Sequence, residues 1–462
     1  MQMIFSPAVA LMNRMGYSRK FAVMGLAAFI AIGVVVYGLY DSLDQTIRSS
    51  KHQLLGIDLI RPMASTVQKL QQHRGLSSGL LGGNESMRSP RAAKAVEVAE
   101  AVRLVDGKMP SGLRQGEGWK NIMAHWERLE KEGLEWTTVE NVGAHTRLID
   151  EILIFQVYLA DEYGLTTDPE IGSFYLLDTT LTKLPMALER LGQIRARGTG
   201  ILAKKEIAEQ QKIEMSSLIA ELNGALKFLK INLEKTGRYN PGMQAALAAS
   251  SKNIVESSKQ IVDLVVTDIL IGGFQTPSKE FFQAATQAID QGYAQMYDTL
   301  LPTAASLIQT RIARAEQTLQ LHFAVVLVML LVAAYLSMGV YYVTINSIRI
   351  LADNARDFAS GDLRKRIKLD AQDELKLVAD SFNGMAEAFS SLLSNVQRSA
   401  DQVLESAHRM SSSSQQISRS SGEQSEAASA MAAAVEEMTV GVDHISRNAQ
   451  EAKEISQKAG TL

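Results

Sequence analysis

The pattern Leu-x-Gln-x-Arg-x-x-x-x-Gly-apolar-Leu occurs twice in this chain, at 70–81 and at 191–202, and sets Arg74 and Arg195 at the same point of both copies. Such a repeat predicts two similar helical units, each turning its arginine toward a spot where small residues let another helix or a ligand approach. Arg197 extends the second copy by one more cation. A guanidinium presents a fixed fork of N–H donors that suits a carboxylate or another small oxyanion. Within the chain, an acid such as Asp161, Asp168 or Asp178 could take that fork; from outside, a small anion could. Other chemistry is scarce. There is no cysteine, which excludes thiolate metal sites and disulfide staples. His73, His125 and His145 share no ligand-like spacing and read as ordinary polar helix residues, so no metal is expected. No Gly-rich phosphate loop or kinase signature is present, and neither a cofactor nor an enzymatic output is expected. The net charge of −3 decides nothing about partners, and none of nucleic acid is expected.

The elements that position these residues follow from two uncharged apolar runs, 21–40 and 323–343, each long enough to cross a hydrocarbon core of about 30 Å as a helix. Arg14, Arg19 and Lys20 precede the first run, which places that end in the cytoplasm and 41–322 outside. No small-x-small cleavage site separates the run from Asp41, so an uncleaved anchor is expected rather than a removable signal. Arg349, Arg356, Arg364, Lys365, Arg366 and Lys368 follow the second run; Arg311 and Arg314 on its outer side weaken the charge rule there. With only 9 prolines and 6% aromatic residues in 462, long helices are favoured over sheets. The outer segment suffices for two stacked helical bundles. Trp119, Trp126 and Trp136 read as core packing, Asp168-Pro169 as an N-cap with proline in the first turn, and Tyr239-Asn240-Pro241-Gly242 as a break between two helices.

Beyond the second run, Leu375, Val378, Phe382, Met385, Phe389, Leu392 and Val396 alternate by three and four, the seam of a coiled coil. One phase of it continues as Val403, Met410 and Ile417, skips Gln424, and resumes at Met431, Met438 and Ile445. The other phase carries Ser399, Ser406, Ser413, Ser420, Ala427 and Ala434, small residues that allow close and changeable packing.

Gly361-Asp362-Leu363, Asp373-Glu374-Leu375 and Phe382-Asn383-x-Met385, following Ser347-Ile348, together resemble the HAMP linker, which implies a parallel four-helix bundle made by two chains. The residues agree on their own terms. Gly361 can end a helix in a left-handed turn, Ile367 and Leu369 can pack the connector, and Asp373-Glu374 suit a helix start. Ile350 stands where that family usually has proline, and Lys376 where a glycine often follows Asp-Glu-x.

The stretch 423–440 resembles the first methylation helix of methyl-accepting chemotaxis proteins. That resemblance implies methyl-ester formation at Glu437 and, two heptads earlier on the same face, Glu423; Ala430 occupies the intervening heptad position. Taken alone, Glu436-Glu437 would read as solvated coiled-coil residues. The family also implies a homodimer in receptor clusters, a methyltransferase, a methylesterase, and a chemotaxis kinase and adaptor bound at a hairpin tip. Leu462 falls inside the ascending arm of that hairpin, so a truncated receptor is expected.

Leu70-Gln71-x-x-Arg74-Gly75-Leu76-Ser77 is similar to the nitrate- and nitrite-sensing domain of bacterial receptors, with Asp161-Glu162-Tyr163-Gly164-Leu165, Phe174-Tyr175-Leu176-Leu177-Asp178 and Leu184-Pro185 in support. The resemblance implies a pair of coaxial four-helix bundles and makes Arg74 the anion-binding arginine; Arg195 and Arg197 join it through the repeat.

The expected protein is an all-α membrane protein of the bacterial inner membrane. It has a cytoplasmic N-terminus at 1–20, spans at 21–40 and 323–343, a periplasmic sensor of two stacked four-helix units at 41–322, HAMP at 344–396, and a methyl-accepting coiled coil from 397 to 462. The alternatives are a sensor histidine kinase or cyclase of similar membrane plan, a receptor for small carboxylates, or a purely structural coiled-coil protein.

Overall fold

Three-and-four spacing of apolar residues and the scarcity of proline make nearly every segment helical. The computed structural model describes residues 2–460 and is 89% helix, with no strand among the described residues. The helices are α1 (Gln2–Asn13), α2 (Tyr17–Leu81), α3 (Arg88–Lys108), α4 (Ser111–Arg114), α5 (Glu117–Glu132), α6 (Thr138–Glu162) and α7 (Ile171–Asp178). There follow α8 (Leu184–Lys204), α9 (Glu209–Tyr239), α10 (Gln244–Leu264), α11 (Ser278–Gln295), α12 (Leu301–Ala359) and α13 (Glu374–Ala459). The chain divides into two compact units, one of Ala27–Leu330 and one of Met1–Leu26 with Leu331–Leu462.

In the 27–330 unit, α2, α3, α5 and α6 form one up-down-up-down array, closed by Ile60, Leu70, Val98, Val105, Trp119, Ile122, Leu129 and Ile149, all nearly inaccessible. A second array comprises α7 with α8, α9, α10, and α11 running into α12, around Leu191, Ile194, Leu222, Leu229, Leu247, Phe281 and Met296. Its long helices contain three π turns. In two of them Leu184 N–H reaches the Thr179 carbonyl and Leu301 N–H reaches that of Met296, one residue further back than in an α-helix. Pro185 and Pro302 follow directly. A proline lacks the N–H and crowds the carbonyl four residues back, and the wider turn absorbs both defects without breaking the helix.

The two arrays do not stack end to end, as a coaxial pair would. They lie side by side along α2, because α2 offers polar groups to the second array from Gln53 to Arg74. Gln53 Oε1 accepts from Arg311 at 3.0 Å, Gln68 donates to Asp290 at 3.0 Å, and Arg74 donates to Glu189 at 2.7 Å. Trp119 and Trp126 lie in the core as expected, Trp119 donating to Asp106 at 2.9 Å; Trp136 is half-buried against the Arg128 guanidinium. Asp168 is not the cap of α7, which begins three residues later. Its carboxylate accepts from Glu170 N–H at 2.9 Å and the Ser173 hydroxyl at 2.7 Å, shaping the approach to the helix. The break at Tyr239-Asn240-Pro241-Gly242 falls between α9 and α10 as the sequence indicates.

Helices α2 and α12 each contain a stretch of mean hydropathy 2.4 or more, none of which is buried by protein. Apolar surface of that length without a protein partner is what a lipid phase covers. In the other unit, α12 ends at Ala359 and Gly361 turns the chain at φ +98°, a conformation that strains any residue with a Cβ. Asp362 N–H closes this turn onto the Asp357 carbonyl at 3.1 Å. Asp373 then caps α13 by accepting from Leu375 N–H. Between them Asn383 grips the connector from both sides: its carbonyl oxygen accepts from Ile367 N–H at 2.8 Å and its amide donates to the Ile367 carbonyl at 2.9 Å. Ile367 is buried, and the Phe358 ring packs on Phe382 and Phe389 at 5.2 and 5.7 Å.

Candidate functional site

The repeated segments are the upper part of α2 and of α8, and they run beside each other, so both arginines enter the wall between the two arrays. Arg74 is 1% exposed and Arg195 2%. Each reaches past a glycine of the opposite helix. A Cβ at Gly192 would lie 2.9 Å from Arg74 Nη2, and one at Gly75 would lie 3.6 Å from Arg195 Nη2 and 3.3 Å from the Phe282 ring. The glycines that the two copies share, Gly79 and Gly200, do not make this room. Gly79 faces Met87, and nothing lies within 4 Å of a Cβ at Gly200.

Arg74 is held by Glu189 of α8. Nη1 donates to Oε1 at 2.7 Å and to the Thr146 hydroxyl at 2.9 Å; Nη2 donates to Oε2 at 3.2 Å. Gln71 and Gln193 also donate to this carboxylate, at 2.9 and 2.8 Å, and the Tyr293 hydroxyl lies 3.3 Å from Gln71 Oε1. None of Asp161, Asp168 and Asp178 takes the fork. They lie on the loop and helix turns that precede Glu189, and pair instead with Thr166, Arg311 and Asn232.

Arg195 differs in one decisive respect. Nη1 donates to the Thr286 hydroxyl at 2.8 Å, Nη2 to the Gln71 carbonyl at 3.0 Å, and the Phe282 ring lies 5.1 Å away; among the described residues no carboxylate pairs with it. Its Nε, like that of Arg74, has no partner. Burial, and then the neighbouring charge of Arg74, bring its pKa down to about 10, which leaves it charged at neutral pH. Glu189 contacts Arg74 alone, and Arg195 feels the carboxylates of Asp290 and Glu189 only at a distance. Phe282 and Thr286 also line a surface depression of about 490 Å³ on α11, together with Asp290 and three glutamines; Arg195 itself does not line it. Arg197 does not join the pair: it stands on an exposed face and bonds Glu214 of α9.

The threonines belong to a second pair of matching segments. Ala144-x-Thr146-x-x-Ile149-Asp150 on α6 recurs as Ala284-x-Thr286-x-x-Ile289-Asp290 on α11, so each arginine of the first repeat meets the threonine of the second. This weaker match is the sequence signal by which Thr146 and Thr286 could have been found. Asp150 has its pKa raised, by burial first and then by Glu189. No repeat in the sequence marks Glu189, whose position has no acidic counterpart in the first copy.

Beneath Arg74 the structure also brings together two histidines that the sequence sets far apart. His73 Nδ1 lies 2.8 Å from His145 Nε2, and His145 Nδ1 is 2.9 Å from the Asn141 carbonyl, so His145 donates there and accepts from His73. Both are buried, which corrects their reading as ordinary polar helix residues. Burial, with the nearby Arg91 charge, pushes His73 down to about 3; His145 is held well below the usual range by burial and by His73. No cluster of three metal-ligating residues occurs among the described residues. On α13, Glu423 and Glu437 are both exposed.

Residues 65–301 match the family described as nitrate and nitrite sensing, and residues 340–390 match the HAMP domain. No curated protein matches the chain. Among solved structures, that of the NasR transcription antiterminator is similar at 16% identity over 80% of this chain and 98% of the other, with a TM-score of 0.39.

Proposed function

Since the chain belongs to the nitrate and nitrite sensing family, we propose that it is a receptor in which nitrate or nitrite is held between Arg74 and Arg195, with occupancy passed through HAMP to a chemotaxis histidine kinase. The observation that carries the anion site is that the direct partners of Arg195 are all neutral. A buried guanidinium with only neutral partners is an expensive arrangement, which a small monovalent oxyanion relieves by supplying both charge and acceptors. Nitrate is planar and delocalised, and its oxygens suit guanidinium N–H groups converging from two helices. Acetate or another small carboxylate would satisfy the same donors; the family favours nitrate and nitrite.

On this reading the anion draws α2 and α8 together, and the two spans carry the change to the HAMP segment. Such coupling requires the ligand to bind the two signalling states with different affinity. Output would be tuned by methyl esters on Glu423 and Glu437, whose exposure on a helix rich in small residues admits a methyltransferase and a methylesterase. The protein then acts as a dimer in the bacterial inner membrane, sensor outward, and is not itself an enzyme.

Calorimetric titration of the full chain in lipid nanodiscs tests the site. Sodium nitrate and nitrite should bind at fixed ionic strength, and Arg195→Ala should lose about tenfold to a hundredfold in affinity, the worth of a charge-assisted contact. Arg195 is the cleaner test because its removal strands no paired carboxylate, whereas Arg74→Ala leaves Glu189 without its ion partner. Arg74→Lys should retain part of the affinity. Binding of acetate or malate alone would keep the arginine site and overturn the choice of ligand; undiminished nitrate binding in Arg195→Ala would overturn the site.

A further inference from the structure

Glu189 occupies the place on Arg74 that a ligand would need. Its two oxygens sit on the two terminal nitrogens, at 2.7 and 3.2 Å, in the manner available to two oxygens of a planar oxyanion. The carboxylate is 1% exposed, so it satisfies the arginine in a dry site where an unpaired charge would be costly. Two further donors bracket it: Gln71 Nε2 on Oε2 and Gln193 Nε2 on Oε1. These glutamines hold Glu189 independently of the arginine. Gln71 lies on α2 and Gln193 on α8, so the carboxylate bridges the two helices that carry the repeated arginines.

We infer that Glu189 is an internal counter-ion standing in for the ligand, and that an oxyanion binds by displacing it from Arg74. The inference rests on the reading of Arg74 and Arg195 as the anion site. When the anion takes the fork, Glu189 keeps the amide donors of Gln71 and Gln193 and remains solvated by protein. Arg195, which has no carboxylate of its own, supplies the charge that makes the exchange favourable, because two guanidinium groups then share two anions. Binding thereby replaces an intramolecular ion pair between α2 and α8 with an intermolecular one. It changes how the two helices are tied together without changing the number of ion-paired arginines that α2 contributes. Glu189 also sets selectivity: a ligand must replace two oxygens that span both terminal nitrogens, which disfavours a spherical anion such as chloride.

Glu189→Gln keeps shape and removes the competing charge. In nanodiscs at fixed ionic strength, sodium nitrate should bind this variant about tenfold more tightly than wild type, and nitrate should raise its melting temperature by more. Equal or weaker binding would make Glu189 a permanent structural partner and overturn the inference. Should Glu189→Gln lose its helical circular dichroism, Glu189→Asp serves in the same titration. The shorter carboxylate cannot span both nitrogens, so tighter binding than wild type is expected and equal or weaker binding overturns. If wild type binds nitrate and the Glu189 variants match it, the receptor reading stands and the displacement falls; if neither wild type nor variant binds, both fall. Binding by the variant alone is competition at its strongest.

Discussion

Arg311 reaches from α12 to Asp168, its Nη2 lying 2.8 and 3.0 Å from the two carboxylate oxygens, and both side chains are almost wholly buried. Gln53 of α2 completes the group, accepting from Arg311 Nη1 at 3.0 Å and donating to Asp168 at 3.1 Å and to the Gly164 carbonyl at 2.7 Å. Three segments distant in sequence are thus fastened at one point: α2, the turn before α7, and α12 above its apolar stretch. Removing one partner of such a pair strands the other charge in the interior. Arg311→Ala should therefore destabilise the 27–330 unit by about 3–5 kcal/mol, and adding Asp168→Asn should restore much of the loss. Denaturant unfolding of both variants followed by circular dichroism measures this; additive losses would show that the two residues act separately.

The buried histidine pair gives the 27–330 unit a pH dependence of defined sign. The folded-state pKa of His73, about 3, and that of His145, also depressed, lie below the ordinary histidine value of about 6.5, so the unfolded chain takes up protons that the native core refuses. Their contribution is complete above pH 6.5 and is lost progressively as pH falls below it, for His73 down to about pH 3, by up to about 1.4 kcal/mol per pH unit for each histidine. Melting temperatures between pH 7.5 and pH 4 should fall in wild type and fall less in the His73→Gln, His145→Gln double variant. Parallel profiles would remove the pair as the cause.

Adaptation chemistry on α13 is checked by mass spectrometry of tryptic peptides after coexpression with a methyltransferase. Methyl ester is expected at Glu437 and Glu423, and Glu437→Ala should abolish the first. Ester found only at Glu405 or Glu454 would place the modified face elsewhere on the helix.

Membrane orientation can be read in a chain without cysteine. Single cysteines at Ser111 and Ser413, both exposed, should be labelled by an impermeant thiol reagent in intact cells at Ser111 only. Labelling at Ser413 alone would invert the topology.

Helices, the two apolar runs, the turn at Gly361 and the repeated arginines were legible in the sequence because each depends on spacing within a few residues: the three-and-four period, the length of an uncharged run, a glycine where φ must be positive. Pairings across the wall between the arrays were not. Arg74 finds Glu189, 115 residues away, rather than one of the three aspartates, because α8 brings Glu189 level with it while the aspartates lie at the end of α6, in the loop after it and at the end of α7. Arg311 takes Asp168, and His73 meets His145, for the same reason. Periodicity says which face of a helix is buried but not which other face it meets, nor at what height. That register is decided by side-by-side packing of the whole arrays, which also selected Gly75 and Gly192, rather than the repeated Gly79 and Gly200, as the openings through which the arginines pass.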